Sequence, residues 1–371
     1  MSDEACWVDF DLMERFMVDV FRGIGVPDED AATCAEILIT ADKRGIDSHG
    51  VGRLKTIYYD RIVRDKIQVP VTEFEIVRDH MATAVVDGHH GMGMVISKRC
   101  MQMAIDKAEK YGTGMVVARN STHYGIAGYY ALMACEAGMI GLTGTNARPS
   151  IAPTFGVDNM LGTNPLVFGM PSDEDFPFTN DYATSVSQRG KIEKYAREGK
   201  ELPPGWVLDR TGGTKTDAQQ VLKDLVAGEA ALVPLGGIGE DTGGYKGYGY
   251  STVVEILSAA LQQGAFMKQL LGIDDQGSKV PYCLGHFFMA INISAFTELE
   301  SFEKTTGDIL RELRTSTKAP GEERIYTCGE KEHLAWLHRK DKGAPVGTEL
   351  QKQMLTMRDE LGLSQYKFPF E

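Results

Sequence analysis

The sequence is poor in the features that mark several large protein classes. Only six cysteines occur in 371 residues: Cys6, Cys34, Cys100, Cys135, Cys283 and Cys328. None forms a CxxC pair or stands with histidine at zinc-finger spacing. A chain this long needs no disulfide staples, so free thiols in a reducing, cytoplasmic compartment are expected. Positive charge is scarce as well. Lys and Arg number 39 against 52 Asp and Glu, a net charge of −13. Such a surface repels nucleic-acid phosphate and anionic lipid, so neither is an expected partner. No run of about 18 apolar residues is present, which argues against a membrane-spanning helix. The acidic stretch from Met1 to Asp11 has no apolar core of the signal-peptide kind. HExxH and comparable paired spacings are missing, so no metal site is expected. Also missing is the dinucleotide fingerprint GxGxxG. The run Gly88-His89-His90-Gly91-Met92-Gly93 has the spacing GxxGxG and no acidic residue at a second strand end about 20 positions on. His89 and His90 therefore read as a turn.

What is present is ordinary globular material, 43% hydrophobic and 25% charged. Hydrophobic spacing predicts helices over 9–22, 28–43 and 53–65. The pattern then alternates. Strands are expected at Thr83–Asp87, Gly114–Arg119 and Ile140–Thr145, and helices at Met94–Tyr111 and Tyr129–Ala137. Alternation of this kind predicts an α/β fold behind a helical N-terminal lobe. Residues 1–75, completed by 310–371, would form that lobe, and 76–309 an α/β cofactor-binding domain. Residues 188–218 read as a charged surface excursion. Residues 232–249 read as a Gly-rich loop, with a helix over 251–266 and a last helix near 350–361.

Three clusters carry chemistry. The first is Arg44-Gly45-Ile46-Asp47-Ser48-His49-Gly50-Val51-Gly52-Arg53. It sets two arginines, a hydroxyl and an imidazole between two predicted helices. His49 titrates near neutral pH and suits acid/base work. Arg53 or Arg44 can grip a carboxylate through a planar fork. The plain structural alternative is a helix–loop–helix capped by Asp47 or Ser48, at roughly even odds. The second cluster is Asn120-Ser121-Thr122-His123-Tyr124-Gly125. It follows a strand end, where α/β proteins place ligands; the alternative is a histidine acting as a helix cap. The third runs from Gly236 to Gly249 and contains Lys246. It could cradle phosphates or simply be a flexible linker.

Six blocks in order resemble one family: RGIDSHGVGR at 44–53, NSTHYGIAGYY at 120–130, LGTNPLVFGMP at 161–171, NDYATSVSQRGKI at 180–192, GGYKGYGYSTVVEILSAAL at 243–261 and GHFFMAINISAF at 285–296. Together they are similar to the type 2 malate/L-lactate dehydrogenases, over roughly residues 8–330. The resemblance implies a non-Rossmann mixed-sheet sandwich of the sulfolactate/malate dehydrogenase type, NAD or NADP as cofactor, and a homodimer with the cofactor near the subunit boundary. It carries proton transfer onto His49 and His123. Cofactor contacts fall on Asn146, Asp181, Tyr182, Ala183 and Lys246, and near Pro320, Gly321 and Glu322. Tyr182 departs from the Met found in many relatives, and the tail past Lys331 matches little.

The expected reaction is hydride transfer between a nicotinamide and a small 2-oxo acid, with malate and oxaloacetate as the leading pair. His123 and His49 are the catalytic candidates. His49, between two arginines, is expected to be neutral, and His123 to remain protonated near neutral pH as proton donor for reduction. Arg53 and Arg44 orient the carboxylate, while Ser48 and Thr122 bond the substrate or orient a histidine. Alternatives within the family are lactate, sulfolactate or ureidoglycolate dehydrogenase, and a cyclic-imine reductase acting on piperideine-2-carboxylate. Outside it stand a non-redox binding module and a metal hydrolase using Asp47, His49 and His123.

Overall fold

The structure is a computed structural model that describes residues 5–371. The chain opens with a short strand β1 (Cys6–Val8) and helix α1 (Phe10–Gly23). The Asp9 side chain accepts from the Leu12 N–H at 2.9 Å and so caps α1. Phe10, Met13, Phe16, Met17, Val20 and Phe21 are its buried stripe. Each such side chain stabilises the fold by roughly 1.5–3 kcal/mol relative to exposure. Helix α2 (Asp28–Lys43) begins with Asp28, Glu29 and Asp30 at its positive end.

The helix expected over 53–65 is broken into unlike turns. Val51–Arg53 is a 3₁₀ turn, Leu54–Tyr59 is π-helical, and only α3 (Asp60–Val63) is α-helical. A π-helical turn is rare and tends to accompany functional sites. This one buries Leu54, Tyr58 and Tyr59.

Strands β2 (Glu75–His80) and β3 (Thr83–Asp87) form a hairpin. Helix α4 (Gly93–Tyr111) crosses over to β4 (Thr113–Ser121), which runs parallel to β3. Helix α5 (Gly128–Glu136) then leads to β5 (Met139–Thr145), β6 (Leu166–Met170) and β7 (Phe178–Tyr182). Helix α6 (Arg189–Arg197), β8 (Val207–Asp209), α7 (Ala218–Ala227) and β9 (Ala230–Leu232) follow, then α8 (Gly244–Ala259) and β10 (Leu284–Asn292). The chain ends through α9 (Leu299–Thr315), α10 (Glu330–Arg339), β11 (Ala344–Val346) and α11 (Thr348–Glu360).

Seven strands make one mixed sheet in the order β2-β3-β4-β10-β5-β6-β7. The late strand β10 is inserted between β4 and β5, antiparallel to both. The pleat sends alternate residues to opposite faces. Val116, Ala118, Phe288 and Ala290 belong to the main core with residues of α4 and α5. Val117 and Phe287 point the other way and pack with Val254 of α8. The result is the non-Rossmann mixed α/β sandwich expected. The same core runs from Val8 through the sheet to Phe368, so the expected lobes share their packing. The two chain ends meet: β1 pairs with β11, and the Phe16 ring lies 5.3 Å from Tyr366 and 5.1 Å from Phe368.

Two readings are corrected. Residues 188–218 are not a bare excursion. Ile192, Leu202 and Val207 pack with Ile151, Leu161, Val221 and Leu232 in a small core of their own. Charged residues on the outer face hid that apolar minority. The Gly-rich run also ends earlier than expected, because α8 begins at Gly244 rather than Ser251. A Cβ at Gly244 would lie 2.0 Å from the Gly237 oxygen, and one at Gly247 would lie 2.2 Å from that of Leu235. These glycines permit close packing and are not a flexible linker.

Candidate active site

The loop after α2 and the turn after β4 meet across one cleft of about 290 Å³. Ser48, His49, His123, Asn146, Asp181, Tyr182 and Ala183 all line it. The His49 and His123 rings stack at 5.9 Å with an 18° interplanar angle. Ser48 Oγ and His49 Nδ1 are 2.8 Å apart.

The loop bearing His49 is fixed from below. Asp42 at the end of α2 is buried and accepts from the Val51 N–H at 2.8 Å. Gly50 lets that carboxylate approach, since a Cβ there would sit 2.0 Å from Asp42 Oδ1. Burial pushes the Asp42 carboxyl up to about 8. Arg339 of α10 reaches the same loop, donating to the Asp42 carbonyl at 2.8 Å and pairing with Asp47.

His123 is held by Tyr58. The phenol oxygen lies 2.7 Å from His123 Nδ1, and the Gly125 N–H donates to the same nitrogen from 3.3 Å. Beneath it, His286 stacks on Tyr124 with centroids 4.6 Å apart and bonds Thr145 and Ser121, each at 2.7 Å. Burial pushes His286 down to about 3, so it is a neutral packing element.

Burial, reinforced by Arg53, pushes His49 down to about 4. His123 also falls well below the usual imidazole value, through burial first and then through His49, Arg61, Arg53 and His286. The expectation that His123 remains protonated is therefore corrected. Its sequence neighbours carry no charge, but the fold buries it and brings Arg53 and Arg61 near it.

Comparison with known proteins follows the same line. The family model for malate/L-lactate dehydrogenase matches residues 8–355. The chain belongs to the malate/L-lactate dehydrogenase family. A malate dehydrogenase of Pyrococcus horikoshii is 42% identical over 353 residues, 95% of each chain. An L-sulfolactate dehydrogenase of Methanocaldococcus jannaschii is 35% identical over 95% of this chain and 96% of its own. The crystal structure of malate dehydrogenase from Entamoeba histolytica superposes with a TM-score of 0.93 at 42% identity, covering 96% of this chain and 98% of that one. This dehydrogenase therefore acts on the CH–OH group of hydroxy acids, and a nicotinamide cofactor belongs with the family.

Within this family member, the remaining expected residues are less uniformly placed. Arg53 donates from Nε to the Ser48 carbonyl and makes no ion pair among the described residues. Arg44 lies half-buried in the field of Glu332 and Asp181, which offset its charge. Thr122 is committed to structure: its buried hydroxyl accepts from Gly93 N–H at 2.9 Å and donates to the Gly91 carbonyl at 2.8 Å. The Asn146 side chain is likewise engaged, donating to Ala265 and accepting from Gly285 N–H. Asp181 accepts from the Gly128 N–H at 2.7 Å, which places a carboxylate at the N-terminus of α5. Burial raises its pKa. Lys246 in the first turn of α8, and Gly321 and Glu322 in an exposed turn, do not line the cleft of this single chain. His89 and His90 form the expected turn with positive φ, and His89 Nε2 meets Glu75 at 2.7 Å. Tyr124 and Gln188 stand in the quoted blocks without an assigned role, and Tyr58 and Glu332 were not anticipated at all. Neither Tyr58 nor Glu332 stands in a local motif; both reach the site through the fold.

Proposed function

We propose that the chain is a malate dehydrogenase that interconverts oxaloacetate and malate with NAD or NADP. One observation carries the reading. Two stacked imidazoles line one cleft, and Arg53, a cation with no ion pair among the described residues, lies near enough to disfavour protonation of both. The names of similar proteins from Pyrococcus and Entamoeba support malate over the family's other substrates.

Small residues, Gly125, Ala127, Ala147 and Ala183, line the cleft and leave room for a flat nicotinamide ring, so the site fits the cofactor. When bound, the dinucleotide supplies or accepts the hydride at the substrate carbon. Asp181, Tyr182, Ala183 and Asn146, which line the cleft, would hold it within this chain. Lys246, Gly321 and Glu322 would contribute across a subunit boundary. Arg53 holds the substrate carboxylate through its free fork. His123 meets the substrate oxygen and donates the proton during reduction. His49 tunes its charge, with Ser48 fixing the His49 ring. Burial is the main cause of the depressed histidines, and the bound carboxylates offset the smaller contribution of the arginines, which favours protonation of the pair as the acid binds. In oxidation the His123 ring takes the hydroxyl proton at Nε2 once its own hydrogen has shifted to Nδ1, where the Tyr58 oxygen accepts it.

A homodimer completes the proposal. Along α8, Tyr245, Val253 and Ile256 are 48%, 47% and 54% exposed, and Phe266 beyond it is 47% exposed. An apolar stripe of this kind marks an interface. All six cysteines are free, which supports a reducing, cytoplasmic setting. No helix among the described residues is long and apolar enough to cross a membrane.

The test is a panel of 2-oxo acids and cyclic imines with NADH and NADPH, read at the nicotinamide absorbance, alongside light scattering for mass. Oxaloacetate should give the highest kcat/KM and the mass should be twice that of the chain. A faster lactate, sulfolactate, ureidoglycolate or imine reaction would replace the malate reading.

A further inference from the structure

Arg61 is a second cation beside the histidines that lacks an acidic partner. It stands three residues after Tyr58, so the two side chains leave the helical segment on neighbouring paths. Tyr58 reaches His123 at 2.7 Å. The Arg61 guanidinium lies over the Tyr282 ring, 4.4 Å from its centroid. That ring is itself fixed, because it packs on Gly272 so closely that a Cβ there would lie 2.6 Å from a ring carbon. Two residues further, Leu284 lines the cleft.

Among the described residues no ion pair or hydrogen bond is made by the Arg61 side chain. Asp65, the acid one helical turn on, bonds Lys279 at 2.7 Å instead. Arg148 adds to the positive field at Arg61 rather than relieving it. The chain carries a net charge of −13, so acidic partners are plentiful elsewhere on it. Asp65 favours the Arg61 charge without bonding it; a half-buried guanidinium with no direct acidic partner is costly in solvation, and an anion in its fork recovers that cost. Stacking on an aromatic ring fixes the plane of the fork while leaving its donors open.

We propose that Arg61, stacked on Tyr282 beside His123, binds the second anionic group of the substrate and makes the enzyme selective for doubly anionic 2-oxo acids over singly charged ones. The assignment rests on the hydroxy-acid reading above. Arg53 takes the carboxylate next to the reacting carbon, and Arg61 takes the carboxylate or sulfonate at the far end. A carboxylate offers two oxygens in a plane and a sulfonate three in a tripod, and two oxygens of either can accept from the fork.

The experiment compares oxaloacetate, sulfopyruvate and pyruvate with the wild-type enzyme, Arg61→Gln and Arg61→Lys. Losing one charge-assisted contact should lower the ratio of kcat/KM for oxaloacetate over pyruvate by about 10–100-fold in Arg61→Gln. The loss should fall mainly on KM, and Arg61→Lys should recover part of it. A parallel loss with sulfopyruvate identifies the site as one for either anion, and a loss with only one acid identifies that acid's group as the occupant. An unchanged ratio in Arg61→Gln overturns the role of Arg61. The wild-type ratio tests the underlying reading separately, because a wild-type preference for pyruvate overturns that reading before any variant is considered.

Discussion

Tyr58 and His123, 65 residues apart in sequence, share a hydrogen bond of 2.7 Å at the imidazole Nδ1. The Gly125 N–H, which can only donate, addresses the same nitrogen. Nδ1 is therefore an acceptor in the neutral ring, and Nε2 carries the hydrogen. Tyr58→Phe removes the phenol and leaves the packing. A net hydrogen bond of about 1–1.5 kcal/mol predicts a kcat loss of roughly 5–15-fold. KM for oxaloacetate should barely move. Single-turnover rates across pH check this; a KM increase with constant kcat would show that Tyr58 serves substrate binding instead.

The two histidines should separate by substitution. His123→Asn removes the proton donor and should slow hydride transfer by roughly 10²–10⁴ while flattening the pH profile over the imidazole range. His49→Asn should slow it less and shift the profile. The free enzyme holds His49 near pKa about 4. Burial holds the base His123 well below the usual imidazole value too, so kcat/KM for malate oxidation should show no imidazole inflection between pH 6 and 8, where that base is already neutral. Rapid-quench measurements with malate over that range decide the matter. A full loss in His49→Asn with a near-normal His123→Asn would exchange their roles.

Arg53→Lys retains the charge but loses the fork and the Nε–H that holds the Ser48 carbonyl. The expected result is a higher KM for every 2-oxo acid, whatever its far end carries. Steady-state kinetics with oxaloacetate and pyruvate would reveal it. An unchanged KM for both acids would remove Arg53 from the carboxylate contact.

Asp42 ties the catalytic loop to pH. Its folded pKa is raised to about 8 from an ordinary value of 3.8. Between those values the folded state keeps a proton that the unfolded chain has released. The native state binds more protons there, so this group makes stability fall as pH rises from about 4 to 8. Asp42→Asn cannot titrate and keeps an oxygen for the Val51 N–H. Relative to wild type, its unfolding midpoint should therefore improve steadily from pH 5 to pH 8. Thermal melts at four pH values measure the difference, and a gap that stays constant would deny the raised pKa.

Much of the scaffold was legible because its periodicity is local. Phe16 and Val20 repeat along α1, and the alternation of Val116 and Val117 in β4 announces a pleated strand with two different faces. β10 was recognised only as a block of family likeness. Its Phe287 and Phe288 are both fully buried, one on each face, so no polar alternation marks it as a strand. Gly244 and Gly247 were misread because glycine serves flexibility and close packing equally well, and sequence does not say which. In the site, Ser48 and His49 sit in one short segment and were visible, as was His123. Tyr58, Arg61 and Glu332 were not, since each reaches the cleft region through folding rather than through spacing.

The pairing of Arg339 with Asp47 joins positions 292 residues apart. The loop that bears His49 is thus made well before its clamp. At a synthesis rate of about 5–20 residues per second, roughly 15–60 s separate the two on the ribosome. During that interval the loop lacks its clamp, and the antiparallel partner for β1 does not yet exist. The loop and β1 gain their final geometry only after α10 and β11 have been made, so catalytic competence waits for elements remote in sequence rather than arriving piece by piece.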